Sequence, residues 1–278
     1  MLSTMPTPFF NTLVVLVLRP LGVLACAMLH TLSQAACGPY QVALYEHGIL
    51  YTRGADGADS GIDKDVVKAL AQRTGCALHT ALDSRVRIWD ALEAGRLDMS
   101  VSGISTPQRE AFARFIPYFR TYNNVLLRSD IAQRAKTPEA FIAQPDLRVA
   151  VVKSFKHGAQ YDAWLNTLRR QGRVEDVADI NATLRLLKIG RVHATLGLPT
   201  TWVGLFESGQ LAGQVAVLDW FPRAEPILAG LILSRARVRE DDAQRMEKAI
   251  LAMRKDGTLE SIYRRYVGVE LARQMVQY

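Results

Sequence analysis

From Tyr40 onward the chain alternates short apolar runs with segments whose apolar residues recur at helical spacing, and this alternation constrains the fold most. "YQVALYE" (Tyr40–Glu46) reads as a buried strand. In "GIDKDVVKALAQRTG", Ile62, Val66, Val67 and Leu70 share one helical face, and Gly75 reads as a C-terminal cap. "CALHTAL" is the next strand. "VRIWDALEAG" sets Ile88, Trp89 and Leu92 on one face of a helix that Gly95 ends, and "LDMSV" is a third strand. Strand, helix, strand, helix, strand predicts an α/β fold with parallel sheets.

The pattern resumes further on. "LRVAVV" (Leu147–Val152) reads as a strand, followed by Lys153-Ser154-Phe155-Lys156-His157-Gly158 and a helix through Trp164 and Leu168. "DINATLRLLKIG" is a helix capped near Asp179 or Asn181, "VHATLGL" a strand, "TTWVGLFESG" a helix and "ILAGLIL" (Ile227–Leu233) a strand. Two helices close the chain. No short repeat or low-complexity segment interrupts it.

"VSGISTPQREAF" (Val101–Phe112) falls at the carboxyl end of a strand, where parallel α/β sheets hold ligands. Thr106 reads as an N-cap with Pro107 at the first helical position. The free N–H groups of such a terminus favour an anion. Arg109 in that first turn opposes the helix dipole, so helix stability does not explain it. Beside backbone N–H groups and hydroxyls, a planar guanidinium makes a carboxylate clamp. The alternative is a surface arginine on a capped helix.

With 278 residues, 49% of them apolar, the chain can bury one large core or two medium ones. A net charge of +7 raises the question of nucleic acid, but the basic residues are scattered and form no run of five. A solvated basic surface is expected, with no nucleic-acid partner. His47, His79, His157 and His193 lack zinc-site spacing, and there is no phosphate loop, dinucleotide fingerprint or nucleophile elbow. No metal or cofactor is expected.

The N-terminal stretch is apolar to Leu32, and Ser33-Gln34-Ala35 fits the small-x-small cleavage pattern of a secretory signal peptide. The competing reading is a transmembrane anchor, but Arg19-Pro20 splits the apolar run into pieces shorter than the roughly 20 residues a span needs. Lipidation at Cys37 is a further alternative. Residues 1–36 are therefore read as a signal peptide cut near Ala35-Ala36, and the exported chain as periplasmic. Export leaves Cys37 and Cys76, which predicts a disulfide. They sit at the starts of two strands joined by one crossover, so both lie at the same edge of the sheet. Two free buried thiols are the alternative.

Four segments, in order, resemble the periplasmic solute-binding proteins of the polar amino-acid type (family 3), which serve ABC transporters. They are "GIDKDVVKALAQRTG", "IWDALEAGRLDMSVSGISTPQREAFARFIPYF", "LLKIGRVHATLG" and "AMRKDGTLESIYRRYVG". The resemblance covers nearly all of the exported chain. It implies a two-lobe periplasmic-binding-protein fold of type II with crossing hinge strands. Lobe 1 would be residues 37–124 plus 226–278, and lobe 2 residues 125–225. "YNNVLLRS" and "PILAGLILS" would carry the crossings, and a small anionic or zwitterionic ligand would sit between closing lobes. The resemblance implies a monomeric receptor with a membrane ABC permease as partner, not an enzyme.

By the same resemblance, Arg109 takes the α-carboxylate, Gly103 and Ser105 are its partners, Lys153 is the second-lobe base, and Tyr45 and Glu46 form the cleft wall. The chain departs from the family at two places. The acid expected for a ligand ammonium is replaced by Gly197-Leu198-Pro199, and Arg85 stands near the position of the aromatic that covers the ligand side chain. Both departures favour a carboxylated or otherwise anionic solute. Two alternatives stand beside transport. One is a cleft enzyme of the cyclohexadienyl-dehydratase type, with Glu46 and His47 as acid and base. The other is a sensory or orphan binding protein.

Overall fold

Tyr40–Leu44 forms the first strand, and the crossover through helix Ile62–Thr74 brings the chain back beside it as Leu78–Leu82, in parallel register from Tyr40↔Leu78 to Leu44↔Leu82. The helix ends at Gly75, whose left-handed φ of 70° lets its N–H reach the Ala71 carbonyl. Cys37 and Cys76 lie beside the entries to these two strands and are joined by a disulfide, with Cα atoms 4.4 Å apart. This computed structural model describes residues 1, 2, 5, 36–54, 57–207, 209 and 211–278. The segment read as a signal peptide lies outside the described residues except for Met1, Leu2, Met5 and Ala36. Among the described residues no helix is long and apolar enough to cross a membrane.

Residues 36–278 form one unit built on two five-stranded sheets. The first has the order Leu78–Leu82, Tyr40–Leu44, Met99–Ile104, Ile227–Ser234, Ala113–Thr121. The second has the order Val215–Leu218, Asn124–Arg128, Ala194–Gly197, Val149–Val152, Val174–Val177. The sheets are mixed where sequence reading expected parallel ones. Ile227–Ser234 runs antiparallel to both of its neighbours, and Asn124–Arg128 does the same in the second sheet. The reason lies in the connections. The chain leaves the first sheet after Thr121 and enters the second at Asn124, then returns between Leu218 and Ile227. These strands enter from the other sheet rather than through a helical crossover, which is what holds neighbours parallel.

The central strands of each sheet are buried on both faces. In the second, Val125, Leu127, Val149 and Val151 pack with Phe141 and Trp164 on one side, while Leu126 and Ala150 pack with Leu184, Leu187 and Val192 on the other. The period of two explains why these strands read as unbroken apolar runs. In the first sheet Val42, Leu44, Val101 and Ile232 share a core with Ile62, Val66, Leu70, Ile88 and Met246.

Thr106 caps the next helix as expected, its Oγ1 accepting from the Arg109 N–H. That helix is a single turn, Pro107–Glu110, and the chain is already a strand from Ala113. So short a turn has little macrodipole. What it provides is a fixed launch point for Arg109.

Candidate functional site

The site begins where Met99–Ile104 reaches the end of the first sheet. Ser102 holds a left-handed backbone, φ 49°, an uncommon conformation outside glycine. Its N–H donates to the Tyr118 hydroxyl at 2.9 Å, and its Oγ donates to the Asp63 carboxylate at 2.8 Å. Tyr118 also donates to Asp63, at 2.6 Å. Asp63 is fully buried in the first turn of helix Ile62–Thr74. Burial pushes its carboxyl up to about 7, against the pull of the two hydroxyls. The kink at Ser102 turns its carbonyl to accept from Arg85 Nη2 at 3.4 Å and from the Tyr45 hydroxyl at 3.5 Å.

Arg85 opens helix Arg85–Glu93, which Ser84 caps, and is 6% exposed. Its guanidinium lies 4.2 Å from the Tyr45 ring centre and 4.7 Å from that of Trp89. Arg109, 8% exposed, sits 3.7 Å from the Trp89 ring centre. Its Nη1 donates to Ile104 O at 3.0 Å, and its Nη2 to Ser154 O of the second lobe at 2.7 Å. Ser154 is another left-handed residue, φ 68°. Burial pulls Arg85 below its ordinary value, and burial with the nearby Arg85 brings Arg109 down to about 9. At that value Arg109 remains a cation at neutral pH, and a guanidinium such as that of Arg85 stays protonated in proteins. Among the described residues, neither forms an ion pair with a carboxylate, and the Nε of Arg85 has no hydrogen-bond partner.

Both guanidiniums line one cavity, which leaves ≈ 30 Å³ for the centres of water-sized molecules. Tyr45, His47 and Ser102 border it from the first lobe, and Phe155, Lys156, His157 and Leu198 from the second. The loop after Val149–Val152 supplies Phe155, whose ring meets that of His47 at 4.9 Å between centres. Asn123, in the crossing segment, also lines the cavity; its Nδ2 donates to the His157 carbonyl and its Oδ1 faces His157 Nδ1 at 3.1 Å. His47 Nε2 lies 3.3 Å from the Thr201 hydroxyl. Burial drives both imidazoles down to about 3, so they are neutral. The Tyr45 hydroxyl, raised to about 12 by burial, also stays neutral.

Three of the sequence candidates, Tyr45, Arg85 and Arg109, meet in this cavity. The other four do not border it. Glu46 is exposed, just past strand Tyr40–Leu44, and borders an adjoining groove with Asp83 and Arg87 that Tyr45, Arg85 and Phe155 also line. Among the described residues no hydrogen bond joins Glu46 to His47, whose Nε2 faces Thr201 instead. Gly103 is packed inside the first sheet opposite Gly230, and a Cβ there would lie 2.2 Å from Ile232 Cγ1. Ser105 turns outward to donate to Glu110. Lys153 is exposed, with its N–H held by Val177 O at 2.8 Å. Ser102, Asn123, Phe155, Lys156 and His157 are site residues that the sequence reading did not single out, and His47, read there only as a possible base beside Glu46, also lines the cavity. The cluster Phe155-Lys156-His157 after a strand end was the visible signal. Gly197 and Leu198 border the cavity, so the acid expected for a ligand ammonium is absent there in structure as in sequence.

Two mixed α/β sheets crossed by two hinge strands, with a charged cavity at strand ends, define a two-lobe binding protein. The chain belongs to the bacterial extracellular solute-binding proteins, family 3, whose model matches residues 49–269. No curated protein sequence matches it. An ancestral arginine-binding protein bound to arginine is 19% identical with TM-score 0.70, covering 82% of this chain and 98% of that one. The GluR0 ligand-binding core from Nostoc punctiforme, in complex with L-glutamate, is 17% identical with TM-score 0.65, covering 82% and 99%. The ancestral amino acid-binding protein AncCDT-1, a precursor of cyclohexadienyl dehydratase, is 21% identical with TM-score 0.67, covering 82% and 94%. At such identities the likeness is one of fold.

Proposed function

We propose that this chain is an extracytoplasmic receptor that captures a small carboxylate-bearing solute, an amino acid or organic anion, and delivers it to an ABC permease. One observation carries the reading: Arg85 and Arg109 are buried in the same cavity, and among the described residues no carboxylate lines it or forms an ion pair with either, Asp63 and Asp162 acting on them only at longer range. Two desolvated like charges are unfavourable unless an anion joins them, and a bidentate carboxylate suits a guanidinium fork. Arginine and glutamate, bound by two of the structural relatives, both carry such a group. In this reading residues 37–124 with 226–278 close as one lobe on residues 125–225. The protein works as a monomer in the periplasm once residues 1–36 are removed. Lys153, Gly103, Ser105 and Glu46 act around the cavity rather than in it.

The test is mass spectrometry of solute released by unfolding protein that was purified without denaturant. A carboxylic acid at about one per chain is expected. A released solute with no acidic group contradicts the reading.

A further inference from the structure

The cavity that holds the two arginines is also lined by two imidazoles, and their hydrogen bonds narrow the ligand class. His157 is 5% exposed, and its Nε2 has no hydrogen-bond partner. Its tautomer is fixed by its surroundings. The Asn123 amide must present its Nδ2 to the His157 carbonyl, at 2.9 Å, because a carbonyl only accepts. Asn123 Oδ1 is then the atom facing His157 Nδ1 at 3.1 Å, and an amide oxygen only accepts. Nδ1 therefore carries the proton, and Nε2 is a bare lone pair. A buried acceptor left unpaired is costly, and because His157 lines this cavity, a donor on its occupant would satisfy Nε2.

The donor's charge is constrained as well. Among the described residues no carboxylate borders the cavity, and three cations do: Arg85, Arg109 and Lys156. Asp63 is turned away, held by Ser102 and Tyr118. A ligand ammonium would be buried among like charges with only neutral groups to meet it, which is strongly unfavourable. A hydroxyl donates equally well and brings no charge.

Resting on the carboxylate reading above, we infer that the cavity selects a hydroxy acid: its carboxylate meets Arg85 and Arg109, and its hydroxyl donates to Nε2 of His157. His47, whose Nδ1 is likewise buried without a partner, lines the same wall and is placed for a second neutral polar group. An oxo acid of the same skeleton would set a carbonyl lone pair against that of Nε2, and an amino acid would bury its ammonium.

Two measurements test this. The first is calorimetry on the exported chain with sets of hydroxy, oxo and amino acids of matched carbon skeleton, with the hydroxyl at the second or third carbon. In at least one set the hydroxy acid should bind about 10-fold or more tighter than its oxo and amino counterparts. His157→Phe should remove that advantage, so that the hydroxy acid binds no more tightly than its oxo counterpart. An amino acid that binds as tightly as its hydroxy counterpart overturns the inference and leaves the carboxylate reading standing. No binding by any acid in the sets, to folded protein, overturns both. The second is nitrogen-15 NMR of the histidines in the unsubstituted protein, which decides even if His157→Phe fails to fold. His157 should show an unprotonated Nε2 at neutral pH, and a protonated Nε2 overturns the inference.

Discussion

Arg109 Nη2 donates to the carbonyl of Ser154 across the cleft, at 2.7 Å, and so links the one-turn helix of the first lobe to the strand-end loop of the second. This contact helps hold the lobes together and occupies a donor that a ligand carboxylate would otherwise take. Arg109→Ala should therefore open the ligand-free protein, seen in small-angle scattering as a larger radius of gyration than that of the unsubstituted chain. Lysine should not restore the closed form, because a single ammonium cannot reach both Ile104 O and Ser154 O as the planar fork does. Superimposable curves for all three proteins would contradict the link.

His47 makes stability pH-dependent. Its folded value, about 3, lies below the ordinary 6.5, so between these values the unfolded chain binds a proton that the folded one refuses. The contribution is fully present above pH 6.5 and is lost as pH falls toward 3. His47→Gln should flatten the rise of unfolding free energy with pH between pH 4 and 6 by about 1.4 kcal/mol per pH unit, the value of one proton. Urea denaturation at several pH values checks this, and an unchanged slope contradicts the buried neutral imidazole.

Asp63 acts in the opposite sense. Its folded value, about 7, lies above the ordinary 3.8, so the folded chain holds a proton that the unfolded one has released. That contribution is complete below pH 3.8 and lost as pH rises through about 7. Asp63→Asn keeps acceptors for Tyr118 and Ser102 but cannot titrate. It should steepen the rise of stability with pH between pH 4 and 7 by up to about 1.4 kcal/mol per pH unit. If the slope is the same with aspartate and asparagine, Asp63 is ionised when folded.

The arginines were legible in the sequence because each broke a local expectation: Arg109 opposed its helix, and Arg85 stood near the position of the family's aromatic. The central strands were legible from apolar runs, since they are covered on both faces, whereas the edge strand Leu78–Leu82 is largely exposed. Which residue beyond a strand end faces the cleft was not legible. It depends on left-handed kinks at Ser102 and Ser154, neither a residue that signals positive φ. The kink at Ser102 brings that serine, not Gly103, to the cavity, and at Ser154 the carbonyl reaches Arg109 while Lys153 stays outside. A slip of one residue along a strand reverses the side that a side chain faces, and kinks of this kind shift that count. His157 was hidden for another reason. Its partner, Asn123, lies in the crossing segment, 34 residues away in sequence.

The disulfide Cys37–Cys76 spans 39 residues and ties the N-terminal end of the first strand to its parallel neighbour. In the chain-entropy view, closing such a loop stabilises the folded state by about 4 kcal/mol. Reduction, or replacing both cysteines with serine, should lower the denaturation midpoint accordingly while the circular dichroism of the folded protein stays the same. An unchanged midpoint after verified reduction contradicts the role assigned to the bridge.

The central claim is that two buried guanidiniums outside any ion pair hold a solute's carboxylate. Calorimetric titration of the acid recovered from the native protein, against unsubstituted chain and Arg109→Ala, tests it most directly. One site per chain is expected, with Arg109→Ala weakening binding by about 2–5 kcal/mol while the thermal unfolding of the ligand-free variant remains cooperative. Equal affinity in the two proteins would contradict the claim.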